Sequence, residues 1–337
     1  MRFLLPLTLL LGVAPLASAH HSRAEYTEGA REIEGTLVRI LWRNPHPGFT
    51  IETVEAGRTV TWEVEGWSSL YTFDRAGITR ERFREGDTVR VVGLPSGRRP
   101  GRLLGTHILL ADGTEAVMKR DAEPYWADGR HIGGRRNWEA ETRAAVVDAA
   151  AENRGIFRVW SYPSPVYETR EHVRLTAAAE AARAAFDEVD NPIMACEQKS
   201  MPGSMLTPNP YEFVDGGSTI TIRGYEGDVV RTVYLEQPLN IDQIPLTKQG
   251  LSVGRWEDAR TLVIHTSRID APHLGFSGVP LSAAATVVER YRLSEDQTRL
   301  DFTIVVTDPA TFIEPATFEF HWLALGERFG RYDCTVH

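Results

Sequence analysis

"REIEGTLVRILWRNPHPGFTIETV", residues 31–54, alternates apolar and polar side chains, breaks at Asn44-Pro45-His46-Pro47-Gly48, and then resumes its alternation. A period of two marks a strand with one buried face. The Asn/Pro/Gly cluster marks the reversal between two such strands. A third strand, "RTVTWEVEG" (58–66), follows a turn at Ala56-Gly57. A short helical stretch comes next, "SSLYTFDRAG" (68–77), with Ser68 or Ser69 as its N-cap. Two more strands lie in "REGDTVRVVGLP" (84–95) and "GRLLGTHILLADG" (101–113). Three strands, a helix and two strands is the order of a five-stranded OB-like barrel, predicted here for residues 20–115.

Downstream, residues 116–192 read as a helical connector. "NWEAETRAAVVDAAAENRG" (137–155) runs from Asn137 to Gly155, and "RLTAAAEAARAAFDEVDNP" (174–192) has Thr176 as N-cap and Asn191-Pro192 as stop. From residue 193 to 337 the period returns to two. Eight strands are expected: "STITIRGY", "DVVRTVYLE", "GLSVGRWE", "ARTLVIHTS", "ATVVERYRLS", "RLDFTIVVTD", "ATFEFHWLAL" and "RFGRYDCTV". Leu300, Phe302, Ile304 and Val306 share one face of the sixth. Such a series predicts an antiparallel lipocalin-like barrel or curved sheet, so the fold class is mainly β.

Working outward to the start of the chain, residues 1–19 have the form of a signal peptide. Arg2 is followed by an apolar run, and Ala17-Ser18-Ala19 supplies the small-x-small cleavage pattern. The run is shorter than the roughly 20 residues of a spanning helix, which weighs against an uncleaved anchor. The expected location is therefore periplasmic or secreted, with no transmembrane segment. Cleavage after Ala19 would leave His20 as N-terminal residue, followed by His21. Such a residue offers one ion two nitrogens: an α-amine with a pKa near 8, partly deprotonated at neutral pH, and its ring Nδ1. A further imidazole, His46 or His21, completes three nitrogens, a set suited to the tetragonal preference of copper(II). The alternative is two exposed histidines with no ligand.

The net charge of −9 argues against a nucleic-acid surface, which needs a basic patch. A length of 337 residues suits two domains. Cys196 and Cys334 are the two cysteines, and in an exported protein a pair is most simply a disulfide, with two free thiols as the alternative.

On "AHHS", "GTLVRILWRNPH", "REGDTVRVVG" and "LADG", residues 20–115 resemble a family of small exported bacterial proteins that carries only a domain-of-unknown-function label. The resemblance implies an exported OB-like module and no established activity. The remainder, with "DNP", "SVGRWE", "TLVIHT" and a cysteine near the end, resembles the C-terminal extension of longer members. Arg23 and Ala24 depart from that pattern, because an aromatic often follows His-His-Ser there.

The sequence holds no GxSxG, HExxH, Walker loop or GxGxxG before a helix. No catalytic residue is assigned, and whether the protein is an enzyme stays open, with a binding role favoured. The leading expectation is an exported protein that binds a metal ion, copper at His20, His21 and His46, or a small molecule. A carrier would use a hollow second barrel lined by Val233, Phe302 and Phe318. An enzyme would use the loop 268–282, which holds Asp270, His273 and Ser277. His265 and His321 could form a metal pair across a sheet, whereas His107, His131 and His172 have no partner at diagnostic spacing.

Overall fold

Two β-barrels follow from the two periodic regions. The computed structural model describes residues 25–126, 129–135, 155–162, 170–187, 196–236, 240–275, 278–326 and 329–335. The expected signal peptide, His20, His21, the helix at 137–155 and Ser277 lie outside the described residues.

The first barrel is built from β1 (Arg31–Leu41), β2 (Gly48–Glu55), β3 (Arg58–Glu65), β4 (Thr88–Pro95) and β5 (Arg102–Leu109). β1 pairs with β2 and β4, β2 with β3, and β4 with β5, all antiparallel; a parallel β3–β5 pairing closes the ring. This is the expected five-stranded OB-like barrel. Alternation along β1 to β5 turns Ile33, Leu37, Phe49, Ile51, Trp62, Val64, Val91 and Leu103 into one core. The helix between β3 and β4, α1 (Leu70–Arg75), has Ser69 at its N-cap position, but the hydroxyl does not cap it. Ser69 Oγ instead donates to Asn209 Oδ1 of the second barrel at 3.2 Å. The Leu70 amide is taken by Asn44 Oδ1 at 3.0 Å, so a loop residue serves as the cap. β6 (Thr114–Val117) and β7 (Arg130–Gly133) extend the sheet beyond β5.

The region 116–192 therefore contributes strands as well as helix. β8 (Val159–Trp160) and β9 (Arg170–His172) join the second sheet. The Ala-rich helix is α2 (Ala177–Ala185), and Thr176 caps it as expected, its hydroxyl accepting from the Ala179 amide at 3.2 Å. The helix ends well before Asn191, because Phe186 turns extended and lays its ring 4.9 Å from that of His273.

The second barrel contains β8, β10 (Tyr211–Asp215), β11 (Thr219–Gly224), β12 (Val229–Tyr234), β13 (Leu251–Asp258), β14 (Thr261–Ser267), β15 (Thr286–Leu293), β16 (Arg299–Thr307) and β17 (Ala316–Leu323). Seven of the eight expected strands are present, as β11 to β17. The eighth, "RFGRYDCTV", is not a strand in its described residues; it makes one isolated bridge, Cys334 to Asn44. Its place beside β17 goes to β9, paired at Thr317–Glu319, and to the chain just after β8, where Ser161 and Leu323 exchange two main-chain hydrogen bonds of 2.9 and 2.8 Å. The barrel so formed has nine strands and is nearly closed. Trp160, wholly buried, gives β8 its hold, since burying so large an apolar side chain contributes about 2–3 kcal/mol.

One pairing also departs from the expected antiparallel series. β12 and β13 run parallel through Val233–Ser252 and Tyr234–Val253. The connection between them is too long for a hairpin and returns the chain to the starting end of the sheet.

Inward-facing side chains of the second barrel pack into one core. Leu300, Phe302, Ile304 and Val306 face inward as expected, and Phe302 lies 3.9 Å from Trp322 between ring centres. Val233 and Phe318 belong to the same packed core. Alternation along β12 and β15 also points Arg231 and Glu289 inward, where they pair at 2.8 Å while 1% and 0% exposed. Among the described residues, no helix is long and apolar enough to cross a membrane.

Candidate functional site

The reversal between β1 and β2 builds the site. Trp42 ends β1 by packing on Phe73 and Phe83 at 5.9 and 5.6 Å, which seals one end of the first barrel. The chain then runs Arg43-Asn44-Pro45-His46-Pro47 before β2 starts. The β2–β3 register sets Gly48 opposite Glu65, so His46 arrives beside the last residue of β3. The Gly66 amide donates to the Pro47 carbonyl at 2.7 Å. A Cβ at Gly66 would lie 2.9 Å from Pro47 Cγ and 3.0 Å from its carbonyl oxygen, so the close approach of loop and strand needs glycine there.

His46 Nδ1 lies 2.7 Å from Glu65 Oε1. The other carboxylate oxygen, Oε2, accepts from the Tyr26 hydroxyl at 2.7 Å and from Arg102 Nη2 at 3.2 Å. Burial would push the Glu65 carboxyl up, but the hydrogen bond and charge of His46, the Tyr26 hydroxyl and the Arg102 charge together hold it at about 2. The carboxylate accepts a hydrogen bond from Nδ1, so in the neutral form of the ring the lone pair falls on Nε2; the His46 side chain is 22% exposed.

The same cluster fixes the start of the described chain. Thr27 donates its amide to the Pro95 carbonyl at 2.9 Å, and the Gly97 amide reaches the Glu25 carbonyl at 2.7 Å. Glu25, buried, pairs with Arg99 and lies 3.6 Å from Arg102 Nε. Arg102 Nε donates to the Tyr26 oxygen at 3.3 Å. Burial and the adjoining Glu65 charge raise the Tyr26 pKa, so its hydroxyl stays protonated as a donor. Tyr26 is five residues after His21 and six after His20. At about 3.3–3.6 Å per residue, both histidines can reach the surroundings of His46.

Behind the loop, Asn44 is buried against the second barrel. Its Nδ2 donates to the Tyr332 carbonyl and, at 3.3 Å, to the Tyr225 hydroxyl. Its own carbonyl accepts from the Thr335 amide at 3.3 Å. Cys196 and Cys334 form the expected disulfide, which ties this C-terminal tail to the second barrel.

Among the described residues, the other candidates are not brought together. Asp270 is exposed and His273 half-buried, and no hydrogen bond joins them among the described residues. Burial against Phe186 lowers the His273 pKa. His265 on β14 and His321 on β17 are separated by β15 and β16, so they form no pair. His107 is buried and satisfied by Thr106 Oγ1 at 2.8 Å and the Glu123 carbonyl at 3.1 Å. His131 sits on β7, and His172 bonds to Glu314 at 3.0 Å. Among the described residues, no three His, Cys, Asp or Glu side chains gather as a metal group.

Sequence reasoning did not single out Glu65, Tyr26, Arg102 or Asn44. A signal for Glu65 was present, since it closes a strand whose apolar residues Trp62 and Val64 face inward, next to a glycine. In sequence Asn44 is one turn former among several, and nothing in its neighbours announces a burial set by the far end of the chain.

No curated protein matches the chain. The chain's resemblance to a family of unknown function has a counterpart in a family comparison: residues 9–106, which take in the site loop and four of the five barrel strands with most of the fifth, match the Family of unknown function (DUF6152).

Proposed function

We propose that this is an exported binding protein that holds a copper(II) ion between its processed N-terminus and His46. The observation that supports it best is the shared carboxylate of Glu65. One oxygen fixes the His46 ring through Nδ1, and the other holds Tyr26, a few residues after the histidine pair. A carboxylate on the far nitrogen of an imidazole is the usual outer partner of a metal-bound histidine, because it fixes the tautomer and raises ligand basicity. The ion would take the amine and Nδ1 of His20, with Nε2 of His46 or a nitrogen of His21 as the third donor. Three nitrogens in a T arrangement match the tetragonal preference of copper(II).

This reading depends on removal of residues 1–19 in an exporting cell, which places the protein in the periplasm or outside. The decisive experiment is a copper(II) titration of protein cleaved after Ala19 beside protein carrying one extra N-terminal residue. The extra residue should weaken binding strongly, because it removes the paired amine and imidazole. Equal affinities would refute the site.

A further inference from the structure

The C-terminal tail is fastened to both barrels. Cys334 bonds it to Cys196 across 138 positions of chain. Asp228 Oδ1, in the turn between β11 and β12, accepts from the Tyr332 amide at 3.0 Å, and the Tyr332 ring meets the Tyr225 ring edge-on at 5.4 Å. These holds belong to the second barrel. The first barrel is gripped through Asn44, which is 1% exposed. Its Nδ2 donates to the Tyr332 carbonyl, and its own carbonyl accepts from the Thr335 amide at 3.3 Å. Cys334 lies between these two contacts, so the covalent anchor sits inside the grip.

Beside the tail, the barrels meet mainly through polar side chains around α1. Ser69 Oγ donates to Asn209 Oδ1 at 3.2 Å, Arg75 Nη1 donates to the Tyr162 carbonyl at 3.3 Å, and the Tyr71 ring lies 5.6 Å from that of Tyr225. Arg98 and Asp187 add an exposed pair at 3.0 Å. Polar junctions between units of one chain allow relative motion by default, so a covalently anchored tail across the joint governs whether the barrels move together. Both cysteines lie outside the strands, so the ladder of the second barrel is complete without their bond. The bond is also placed to open. Cys196 and Cys334 are half-buried beside the exposed Glu197 and Asp333. Cys196 and Asp333 hold left-handed backbone, φ 59° and 47°, which residues with side chains keep only while their surroundings enforce it.

We propose that the Cys196–Cys334 bond is a redox-sensitive lock between the barrels. Closed, it straps the tail over Asn44 and fixes the two barrels as one body. Open, it lets them turn independently while each stays folded. The lock does not depend on any ligand at His46. Its opening consumes one dithiol: a thiolate attacks a cysteine sulfur, the S–S bond breaks, and the second thiol displaces the protein from the mixed disulfide. The reductant leaves as its own disulfide, and Cys196 and Cys334 each end as a thiol. The tail then keeps only hydrogen bonds, Cys196 and Asp333 relax, and Asn44 loses its partners.

The test uses the full chain. One sample is kept oxidised; another is reduced with dithiothreitol, capped with iodoacetamide and freed of reductant. Nitrogen-15 relaxation of backbone amides gives the tumbling time of each barrel, and near-ultraviolet circular dichroism reports whether the aromatic cores persist. The oxidised barrels should share one tumbling time. In the capped protein the aromatic signal should stay while the two times separate, that of the first barrel falling about 1.5-fold or more, as for units no longer held together. Asn44→Asp with the bond intact keeps an acceptor for the Leu70 amide but sets a carboxylate oxygen against the Tyr332 carbonyl, and it should separate the times as well. A single shared time in the capped protein, or in Asn44→Asp, would overturn the lock. Loss of the aromatic signal on capping would overturn it too, because the bond would then serve the second barrel's own fold.

Discussion

His46 and Glu65 meet Nδ1 to Oε1 at 2.7 Å, across the junction of a loop and the last residue of a strand. Because Tyr26 holds the second oxygen of the same carboxylate, Glu65 links the loop to the chain's beginning. Replacing it by alanine should release both. Glu65→Ala is expected to lower copper(II) affinity about 10–100-fold, the usual effect of losing an outer partner of a metal-bound histidine. Competition titration against a chelator of known affinity checks this, and an unchanged value would separate Glu65 from the site.

The same carboxylate should leave a mark on acid stability. Its folded pKa of about 2 lies below its ordinary 4.5, so the folded state favours the ionised form. The stabilisation is complete above pH ~4.5 and is lost as the pH falls through about 2. Its size is about 3–4 kcal/mol, from about 1.4 kcal/mol per pKa unit. Urea unfolding at stepped pH should show wild type losing its advantage over Glu65→Gln between pH ~5 and ~2. A constant difference across that range would refute the assignment.

Inside the second barrel, breaking the Arg231–Glu289 pair should be costly. Glu289 also accepts from the Tyr291 hydroxyl at 2.5 Å, and Arg231, 1% exposed, would lose its charge partner inside the core. Glu289→Ala is expected to destabilise by about 3–5 kcal/mol, the cost of an unpaired buried charge. The double change Arg231→Met, Glu289→Leu should cost much less than the single one. Chemical denaturation of the three proteins decides between these outcomes.

Gly66→Ala should disturb the site without touching a ligand. The added methyl meets Pro47 on two atoms, and a crowded position of this kind costs about 1–3 kcal/mol. The loop would move away from β3, so the His46–Glu65 bond should lengthen. Loss of the Nδ1 proton signal in an NMR spectrum of the variant would report it.

Much of the fold was legible in the residues. The break at Asn44 to Gly48 between alternating runs, with a helix before the last two strands, is enough for the closed first barrel. The inward face of β16 was equally plain, because Leu300, Phe302, Ile304 and Val306 recur at period two. The second barrel's closure was not legible. Val159–Trp160 is too short to carry a period, and only burial of the indole recruits it. "RFGRYDCTV" alternates well enough to pass for a strand, yet the disulfide and Asn44 draw it away from the sheet. At the site, His46 could be singled out from its own neighbours. Glu65, Tyr26 and Arg102 converge on it through register and barrel closure, which connect positions far apart in the chain.

The nearly closed second barrel also bears on self-association. β17, an eight-residue strand, would be an open template for a neighbouring chain if left bare. β9 covers it at Thr317 to Glu319, and Ser161 covers it at Leu323. Among the described residues, β7 and β9 are edge strands four and three residues long, and β12 and β13 pair with each other over only two residues each. Covered in this way, β17 offers a neighbouring chain little template for the stacking of cross-β growth.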